Sequence, residues 1–466
     1  MTDRTASGLP PFGDSLAAPG TASDASHAAP PHPDHVDHPA EHPTLSRRRG
    51  FLQAAGAGLA ASFAGGTALA AGVADGGPFA AAAANRVTLS PIENTQTEAP
   101  APTPDPNAPR DTRIGFAIVG LGRLSLDQIL PAIGQCKYAK VSALVSGDPD
   151  KARRVALQYG VKPDSLYSYE RYDELAQNPD VQVIYIVLPN AMHADFTVRG
   201  ARAGKHILCE KPMATSVADC ERMIEACRRA DRKLMIAYRS QYEPLDRAVV
   251  KMVREKKLGD LCEFIAGNSQ NTGDPTQWRL NLKLAGGGAM PDIGTYCLNA
   301  ARFLTGEEPN EVVATVTQDR SDPRFREVES AVHFILRFPS GLSATCMASY
   351  ASHESRFYRL QGAKGWAEAN PAFGYDGLRL RHGTRMDDQN VAIEPTLPAL
   401  NQFAREIDHM ALCVTRNQTP HTPGEEGLQD QKITEAIYQS ARTGRAVKLS
   451  PPPGPTRGPD PDEEHF

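Results

Sequence analysis

A short apolar run that ends in a paired-glycine turn constrains the fold of this chain most. Residues Ile114–Val119 form the run, and Gly120-Leu121-Gly122-Arg123 follow directly. In a strand-to-helix turn of this kind the first glycine permits the tight turn, and the second lets a backbone amide approach a pyrophosphate at the helix N-terminus. Ser125 replaces a third glycine, which predicts that helix and strand pack less closely. The turn is therefore a candidate dinucleotide site.

The segments after this turn alternate between apolar runs and amphipathic helices. Predicted strands at Val141–Val145, Val183–Leu188, His206–Cys209 and Leu234–Tyr238 are separated by helical patterns such as Lys151–Tyr159 and Ala191–Ala203. This alternation predicts an α/β Rossmann domain, a doubly wound parallel sheet with helices on both faces.

After about residue 259 the pattern changes to longer, alternating strands. They are predicted at Val312–Thr317, Ala331–Phe338 and Leu342–Tyr350, and two helices follow at Pro398–Arg416 and Gly424–Thr443. Alternation in polarity suits a sheet with one solvated face. This half is predicted to be an α+β domain with a largely antiparallel open sheet.

Composition and pattern together divide the chain into six segments. They are a disordered extension (1–45), a signal peptide (46–70), a Pro-rich arm (71–112), a dinucleotide-binding domain (113–240), a substrate and oligomerisation domain whose C-terminal helices pack back on the first domain (241–450), and a loose tail (451–466). We interpret His32, His35, His38 and His42 as solvated low-complexity sequence, and we expect no metal site.

The signal peptide carries a twin-arginine motif. Arg48-Arg49-Gly50-Phe51-Leu52 precede an Ala/Gly-rich apolar run, Ala54–Ala71, which is interpreted as a cleaved leader for export of a folded protein to the periplasm. No other apolar run is long enough to span a bilayer, and a net charge of -5 argues against a nucleic-acid partner. An exported protein has no pool of reduced cofactor around it, so we expect the cofactor to be recycled in place.

The end of the second predicted strand discriminates between NAD and NADP. An acidic residue there would bind the ribose 2′-hydroxyl of NAD and repel the 2′-phosphate of NADP. This strand ends in Leu144-Val145-Ser146, and Lys151 follows on the next helix, which favours NADP. Asp148 and Asp150 favour NAD unless they lie out of reach or cap that helix.

Two clusters are candidates for the chemistry. Lys211 lies in Cys209-Glu210-Lys211-Pro212, at a strand end where ligands bind to such sheets. Asp292 and Tyr296 follow the triple glycine Gly286–Gly288, and a helix would place them on one face. Oxidation of a hydroxyl needs a base, and a phenol beside an ammonium group can take the proton and later return it. Spacing alone is equally compatible with a core tyrosine at this position.

These residues also carry a resemblance to a known family. Glu210-Lys211-Pro212, with the glycine turn upstream and Asp292 and Tyr296 downstream, resembles the Gfo/Idh/MocA oxidoreductases. Longer segments are similar to the glucose–fructose oxidoreductases of that family: Cys209–Cys220, Leu284–Gly288, Gly306–Pro309, Pro423–Gly427 and Ala441–Arg445. The similarity runs from about Ile114 to Val447 and covers both domains.

The resemblance implies a sugar oxidoreductase that keeps NADP bound while glucose is oxidised to gluconolactone and fructose is reduced to sorbitol. It implies that Lys211 is the active-site lysine, that Asp292 orients sugar hydroxyls and that Tyr296 is the acid/base. The implied cofactor pocket comprises the glycine turn, Ser146 and Lys151 at the 2′-phosphate, Leu188, Pro189, Asn190 and His193 on the nicotinamide side, Glu210, Lys211 and Arg239 nearby, and Trp278 with Arg279. The resemblance further implies a homotetramer in which the Pro-rich arm wraps over a neighbouring subunit's cofactor.

Two alternatives remain open. One is an NADP-dependent aldose dehydrogenase or ketose reductase that releases its cofactor. The other is a non-catalytic sugar-binding protein of the same fold, against which the set of Lys211, Asp292 and Tyr296 argues. Asn271–Gln277 is shorter than the family loop, and Asn281 stands where the family pattern predicts arginine, so the sugar pair stays open.

Overall fold

The computed structural model describes residues 113–461 of the chain. The predicted extension (1–45), signal peptide (46–70) and arm (71–112) lie outside the described residues, as do the last residues of the predicted tail, 462–466. No helix within 113–461 combines the length and the apolar character needed to cross a membrane.

The first domain is built on a six-stranded parallel sheet with the strand order β3-β2-β1-β4-β5-β6. The strands are β1 (Ile114–Val119), β2 (Ala139–Val145), β3 (Leu166–Tyr167), β4 (Val183–Ile186), β5 (His206–Glu210) and β6 (Leu234–Ala237). The helices are α1 (Leu130–Gln135), α2 (Pro149–Tyr159), α3 (His193–Arg202) and α4 (Val217–Arg229). This is the predicted Rossmann arrangement.

Both faces of this sheet are buried, which explains why its strands are apolar throughout. On β1, Phe116 and Ile118 belong to one apolar cluster, and Ala117 and Val119 belong to another on the opposite face. A strand covered on both sides is expected to be a continuous apolar run. The central strands could therefore be recognised in the sequence.

The second domain contains a nine-stranded sheet with the order β14-β13-β12-β11-β7-β10-β9-β8-β15. Its strands are β7 (Leu261–Asn271), β8 (Glu311–Thr317), β9 (Ala331–Arg337), β10 (Ser343–Ser349), β11 (Ala351–Gly362), β12 (Gly365–Ala369), β13 (Leu380–Met386), β14 (Gln389–Ile393) and β15 (Val447–Lys448). All neighbouring strands are antiparallel except β7 and β10. The predicted, largely antiparallel sheet is confirmed.

Helices cover one face of this sheet. They are α5 (Pro244–Arg254) and α7 (Thr295–Thr305), while the single turn α6 (Leu282–Ala285) contacts the loop after β4. The last two helices of the described chain are α8 (Gln402–Thr415) and α9 (Gly424–Thr443). Phe403 and Ile407 of α8 are buried with residues of the Rossmann sheet, whereas Ile433 and Ile437 of α9 are buried in the core of the second domain. The last two helices thus contact both domains.

A buried ion cluster fixes α7 against α9. Arg302 is fully buried, and its guanidinium donates to Glu308 at 2.8 Å, to Glu426 at 2.9 Å and to Asp430. Because removing one partner would leave buried charge uncompensated, such a cluster holds its elements in one arrangement. It therefore fixes α7, the helix that carries Tyr296.

The prediction that the tail is loose is wrong for residues 451–461. Thr456 is buried, Arg457 Nη1 donates to Glu426 Oε1 at 3.1 Å, and Arg247 Nη1 donates to Asp460 Oδ1 at 3.1 Å. The Pro-rich, acidic composition suggested a solvated segment. Arg457 and Asp460 instead have oppositely charged partners on folded helices, and these partners could not be identified from composition.

Candidate active site

The strand ends of the Rossmann sheet bring most of the predicted cofactor residues to one edge. Ser146 follows β2, Gly120 follows β1, Leu188 follows β4, Lys211 follows β5 and Arg239 follows β6. The strand order reverses between β1 and β4, and in sheets of this type ligands bind at that point, outside the carboxyl ends of the strands.

The glycine turn has the shape that a dinucleotide needs. Gly120 has φ +94°, and a Cβ there would lie 2.2 Å from Val187 O, so only glycine fits. A Cβ on Gly122 would have no atom within 4 Å, so the backbone there faces open space. Ser125 Oγ donates a hydrogen bond to Gly120 O at 2.5 Å. Ser125 is also the first residue of a π-helical turn, which is wider than an α-helical turn. The turn can therefore accept a pyrophosphate.

The position after β2 carries no available carboxylate. Ser146 Oγ accepts a hydrogen bond from Asp148 N at 3.1 Å, and Asp148 Oδ1 accepts one from Lys151 N at 2.9 Å. Asp148 is thus the N-cap of α2, and the exposed Asp150 forms an ion pair with Arg153. The ring of Tyr169 lies 3.1 Å from the position of a Cβ on Gly147, a neighbour that the sequence did not reveal.

The predicted nicotinamide wall is tied together by buried side chains. His193 is 1% exposed, and its two ring nitrogens lie 2.9 Å from Pro212 O and 2.8 Å from Leu188 O. Asn190 Nδ2 donates to Ala285 O at 2.9 Å, which joins this wall to the second domain, and Pro189 lies between Leu188 and Asn190 in the chain. His193 and Asn190 therefore brace the loops after β4 and β5.

Lys211, Asp292 and Tyr296, which the sequence predicts to be catalytic, meet where the two domains touch, and we call these predicted residues the catalytic cluster. Lys211 Nζ donates to Asp292 O at 2.7 Å and lies 3.5 Å from Asp292 Oδ1. The same Nζ lies 4.4 Å from the ring centroid of Tyr296. A π-helical turn, Met290–Gly294, precedes α7 and carries Asp292 into this position. Asp292 therefore lies in the π-helical turn and Tyr296 in the first turn of α7, and both contact Lys211.

Asp292 is held as a carboxylate. Its Oδ2 accepts hydrogen bonds from Tyr350 Oη at 2.6 Å and from Arg279 Nε at 3.1 Å. Burial on its own would raise the pKa of Asp292, but the charges of Arg279 and Lys211 and the hydrogen bond from Tyr350 outweigh it and lower the pKa to about 2. The carboxylate therefore stays ionised at neutral pH and keeps Lys211 in place.

Two predicted pocket residues have specific partners in the structure. Arg279 Cζ lies 4.6 Å from the ring centroid of Trp278, so the pair is stacked, but Arg279 also binds the catalytic cluster through Asp292. Glu210 is buried beneath Lys211 and accepts a hydrogen bond from Tyr185 Oη at 2.8 Å, and burial raises its pKa. Glu210 is thus directed into the protein.

Sequence reasoning missed Tyr350 and the close protein neighbours of the triple glycine. Tyr350 ends the predicted strand Leu342–Tyr350 on the buried side of its alternation, which was the available signal. A Cβ on Gly288 would lie 2.0 Å from Glu329 O, and a Cβ on Gly287 would lie 2.1 Å from Tyr438 Oη. Close protein neighbours therefore require glycine at both positions.

A small cavity lies behind the catalytic cluster. Its volume is about 20 Å³, and its lining includes Tyr296, Lys211, Ser240, Asp246 and Asn299. That volume has room for a single water molecule. No group of three or more His, Cys, Asp or Glu side chains within residues 113–461 could hold a metal ion.

Two family models match the chain, and together they cover both domains. Residues 114–238 match the oxidoreductase family with an NAD-binding Rossmann fold, and residues 247–368 match the GFO/IDH/MocA C-terminal domain. A D-xylose 1-dehydrogenase [NADP(+)] of Haloarcula marismortui is 32% identical over 346 residues, which is 73% of this chain and 94% of that protein.

Solved structures agree with this assignment. The aldose–aldose oxidoreductase from Caulobacter crescentus, complexed with glycerol, is 46% identical, with a TM-score of 0.70 over 72% of this chain and 100% of that chain. A 3-ketoreductase from Actinomadura kijaniata in complex with NADP and TDP-benzene is 26% identical, with a TM-score of 0.63 over 70% of this chain and 98% of that chain. The protein therefore belongs to the Gfo/Idh/MocA family of oxidoreductases.

Proposed function

We propose that this protein is an NADP-dependent sugar oxidoreductase that oxidises an aldose and reduces a second sugar without releasing its cofactor. Glucose, giving gluconolactone, is the proposed donor, and fructose, giving sorbitol, is the proposed acceptor. The observation that carries the proposal is the contact of Lys211 with both Asp292 and Tyr296, at the sheet edge that also holds the glycine turn.

The residues at the sheet edge fit NADP. The open backbone at Gly122 suits a pyrophosphate, and the region after β2 offers Ser146 and Lys151 while Asp148 is engaged as a helix cap. A bound NADP would supply the nicotinamide through which a hydride passes from the donor sugar to the acceptor. The ribose 2′-phosphate would lie beside Ser146 and Lys151.

The catalytic cluster can perform the accompanying proton transfer. The Lys211 ammonium is anchored by the carbonyl and the carboxylate of Asp292, which leaves a third N–H for the oxygen of the reacting sugar hydroxyl. Tyr296 as phenolate accepts that hydroxyl proton while the carbon–hydrogen bond breaks, and the neutral phenol returns the proton to the acceptor carbonyl. One side chain thus serves both half-reactions.

The relatives favour two further candidates for the finer specificity. The Caulobacter enzyme is an aldose–aldose oxidoreductase, which supports an aldose as the acceptor in place of fructose. The Haloarcula enzyme is a D-xylose 1-dehydrogenase that uses NADP(+), which supports a dehydrogenase that releases its cofactor. Identity of 46% to the former favours a reaction between two sugars.

Location and assembly are part of the proposal. The twin-arginine motif at Arg48-Arg49 supports export of the folded, cofactor-loaded protein to the periplasm, where retention of NADP would be needed. Ile265, Val313, Ile335 and Met347 are each more than a third exposed on the strands of the second domain, which supports burial of this face in a homotetramer. The Pro-rich arm (71–112) is proposed to cover the cofactor of a neighbouring subunit.

The test begins with purified protein after extensive dialysis. We expect about one NADP per chain to remain and glucose alone to produce the absorbance of reduced nicotinamide. Fructose, or an aldose such as xylose, should then discharge it. If NADP is lost on dialysis and the protein turns over only when NADP is added, the result would favour a dehydrogenase that releases its cofactor. A Tyr296→Phe variant that still reduced bound NADP at the wild-type rate would refute the proton-transfer role.

A further inference from the structure

A buried carboxylate lies behind the turn that carries Asp292. Glu329, just before β9, is 6% exposed. Its Oε2 accepts a hydrogen bond from Gly288 N at 2.8 Å, and its Oε1 accepts one from Met290 N at 2.9 Å. Met290 is the first residue of the π-helical turn, and Asp292 is its third. One side chain therefore binds the backbone at the start of this turn twice.

A tyrosine of α9 donates a third hydrogen bond to the same carboxylate. Tyr438 Oη lies 2.8 Å from Glu329 Oε1. Burial raises the pKa of Glu329, and the three hydrogen bonds act against that rise because each stabilises the ionised form. Without the carboxylate, two buried backbone amides would lack their acceptor, and such a loss is costly unless the backbone moves. The position of the turn thus depends on Glu329.

The triple glycine allows the backbone to lie this close to Glu329 and Tyr438. A Cβ on Gly288 would collide with Glu329 O, and a Cβ on Gly287 would collide with Tyr438 Oη. Any larger residue at either position would push the chain away from the carboxylate. The glycines identified in the sequence therefore serve the contact between this turn and Glu329.

The segment that contains Glu329 also holds Tyr350, which binds Asp292. Ser330 is the next residue after Glu329, and its carbonyl oxygen accepts a hydrogen bond from Tyr350 N at 2.8 Å. Tyr350 is fully buried, and its Oη donates to Asp292 Oδ2 at 2.6 Å. Two adjacent residues therefore fix both partners of this hydrogen bond, since the Glu329 side chain holds the turn and the Ser330 carbonyl holds Tyr350.

We propose that Glu329 is a positioning residue of the active site, which holds Asp292 where it meets both Tyr350 and Lys211. The inference rests on the proposed function, in which Asp292 anchors the Lys211 ammonium beside the sugar oxygen. The three donors to the Glu329 carboxylate lie outside the catalytic cluster, so Glu329 acts on Asp292 through the backbone of the turn. A displacement of about 1 Å near reacting groups can reduce a rate about 100-fold, so this support should matter for catalysis.

The far end of the turn has its own anchor. Asn268 Nδ2 on β7 donates to Ile293 O at 3.1 Å. The turn also continues into α7, which the buried ion cluster of Arg302 fixes against α9. We therefore expect loss of the Glu329 carboxylate to displace Asp292 rather than to unfold the turn, so that the effect on catalysis can be measured in a folded protein.

The experiment is a double-mutant cycle on the single-turnover reduction of bound NADP by glucose. Glu329→Gln keeps the size of the side chain but places an NH₂ group against the donors, so the rate should fall about tenfold while NADP stays bound. In an Asp292→Ala background, which has no carboxylate to position, the same substitution should change the rate less than about twofold. The matched control is Glu311→Gln, since Glu311 is 7% exposed on β8 and pairs with Arg337 and Lys448. It should leave the rate unchanged.

Each result of the cycle supports or overturns the inference. Equal slowing by Glu329→Gln in both backgrounds would overturn it, because a general loss of packing does not depend on the Asp292 carboxylate. A wild-type rate in Glu329→Gln, or loss of its bound NADP, would overturn it as well. If Glu329→Gln does not fold, Tyr438→Phe removes one donor and keeps both backbone hydrogen bonds. That variant should slow the reaction about threefold, and no slowing would overturn the inference.

The proposed function fails in a different way from the inference. A wild-type protein that no sugar reduces refutes the proposed function, and urea unfolding then decides the role of Glu329. Glu329→Gln and Tyr350→Phe should destabilise the protein less in combination than the sum of their separate effects, because both disturb the position of Asp292. Additive effects would overturn the inference.

Discussion

Neutralising Asp292 tests how the catalytic cluster is held together. Asp292 Oδ2 accepts hydrogen bonds from Tyr350 and Arg279, and Asp292 Oδ1 lies 3.5 Å from Lys211 Nζ. In Asp292→Asn one amide oxygen can still accept a hydrogen bond, but the amide nitrogen would confront the Lys211 ammonium or a guanidinium. Two cations would then lack their shared counter-charge.

The loss of stability expected for Asp292→Asn follows from the lowered pKa of the Asp292 carboxyl group. A pKa lowered from 3.8 to about 2 corresponds to about 2 kcal/mol of stabilisation at neutral pH. The folded pKa lies below the unfolded one, so this stabilisation is present above about pH 4 and is lost as the pH falls through about 2. We expect Asp292→Asn to lose about 2 kcal/mol at neutral pH, and we expect the difference from wild type to shrink near pH 3.

The catalytic cost should exceed the stability cost. A displacement of Lys211 by about 1 Å can reduce a rate by about 100-fold, so single-turnover reduction of bound NADP by glucose should slow by about that factor. Urea unfolding at two pH values and stopped-flow absorbance provide the two measurements. Asp195→Asn is the control, because Asp195 is an exposed partner of Arg199 and its loss should cost less than about 1 kcal/mol. Wild-type rate and stability in Asp292→Asn would refute the reasoning.

Three further predictions concern other parts of the molecule. Lys151→Ala should weaken the binding of NADP about tenfold more than the binding of NAD, because Lys151 is assigned to the 2′-phosphate. The measurement is the amount of each cofactor that remains after dialysis, and equal losses of NADP and NAD would contradict the assignment. Arg302→Met should cost about 3–5 kcal/mol in urea unfolding, because Glu426 and Asp430 would remain buried without their cation, and a cost below about 1 kcal/mol would show that the cluster is dispensable. Ile335→Asp should reduce the assembly to smaller species in sedimentation velocity, since Ile335 is 42% exposed on the sheet face proposed for the tetramer, and an unchanged assembly would exclude that face.

The fold could be predicted from the sequence because its strands carry strong local signals. The predicted strand Ile114–Val119 and the predicted helix Gly424–Thr443 have the bounds seen in the structure. Continuous burial makes Rossmann strands apolar, and one-sided burial makes the strands of the second sheet alternate. Such patterns depend on neighbouring residues in the chain, so they are visible without a structure.

The site could be predicted only in part, because its contacts join residues distant in the chain. The positions of Lys211, Asp292 and Tyr296 were identified from motifs, but the hydrogen bond of Tyr350 to Asp292 and the position of Arg239 over Tyr296 depend on the docking of two domains. Arg279 was expected in the cofactor pocket, and its additional hydrogen bond to Asp292 was not expected. No local pattern encodes such pairings.

The central claim is that one bound cofactor carries a hydride from one sugar to another. The most direct measurement supplies glucose deuterated at C1, with fructose and no added NADP, to dialysed protein, and follows the label by mass spectrometry. The account predicts that deuterium appears in sorbitol over many turnovers, with one reduced sugar formed for each gluconolactone. Label that requires added NADP, or that exchanges with unlabelled NADPH in solution, would contradict retention of the cofactor.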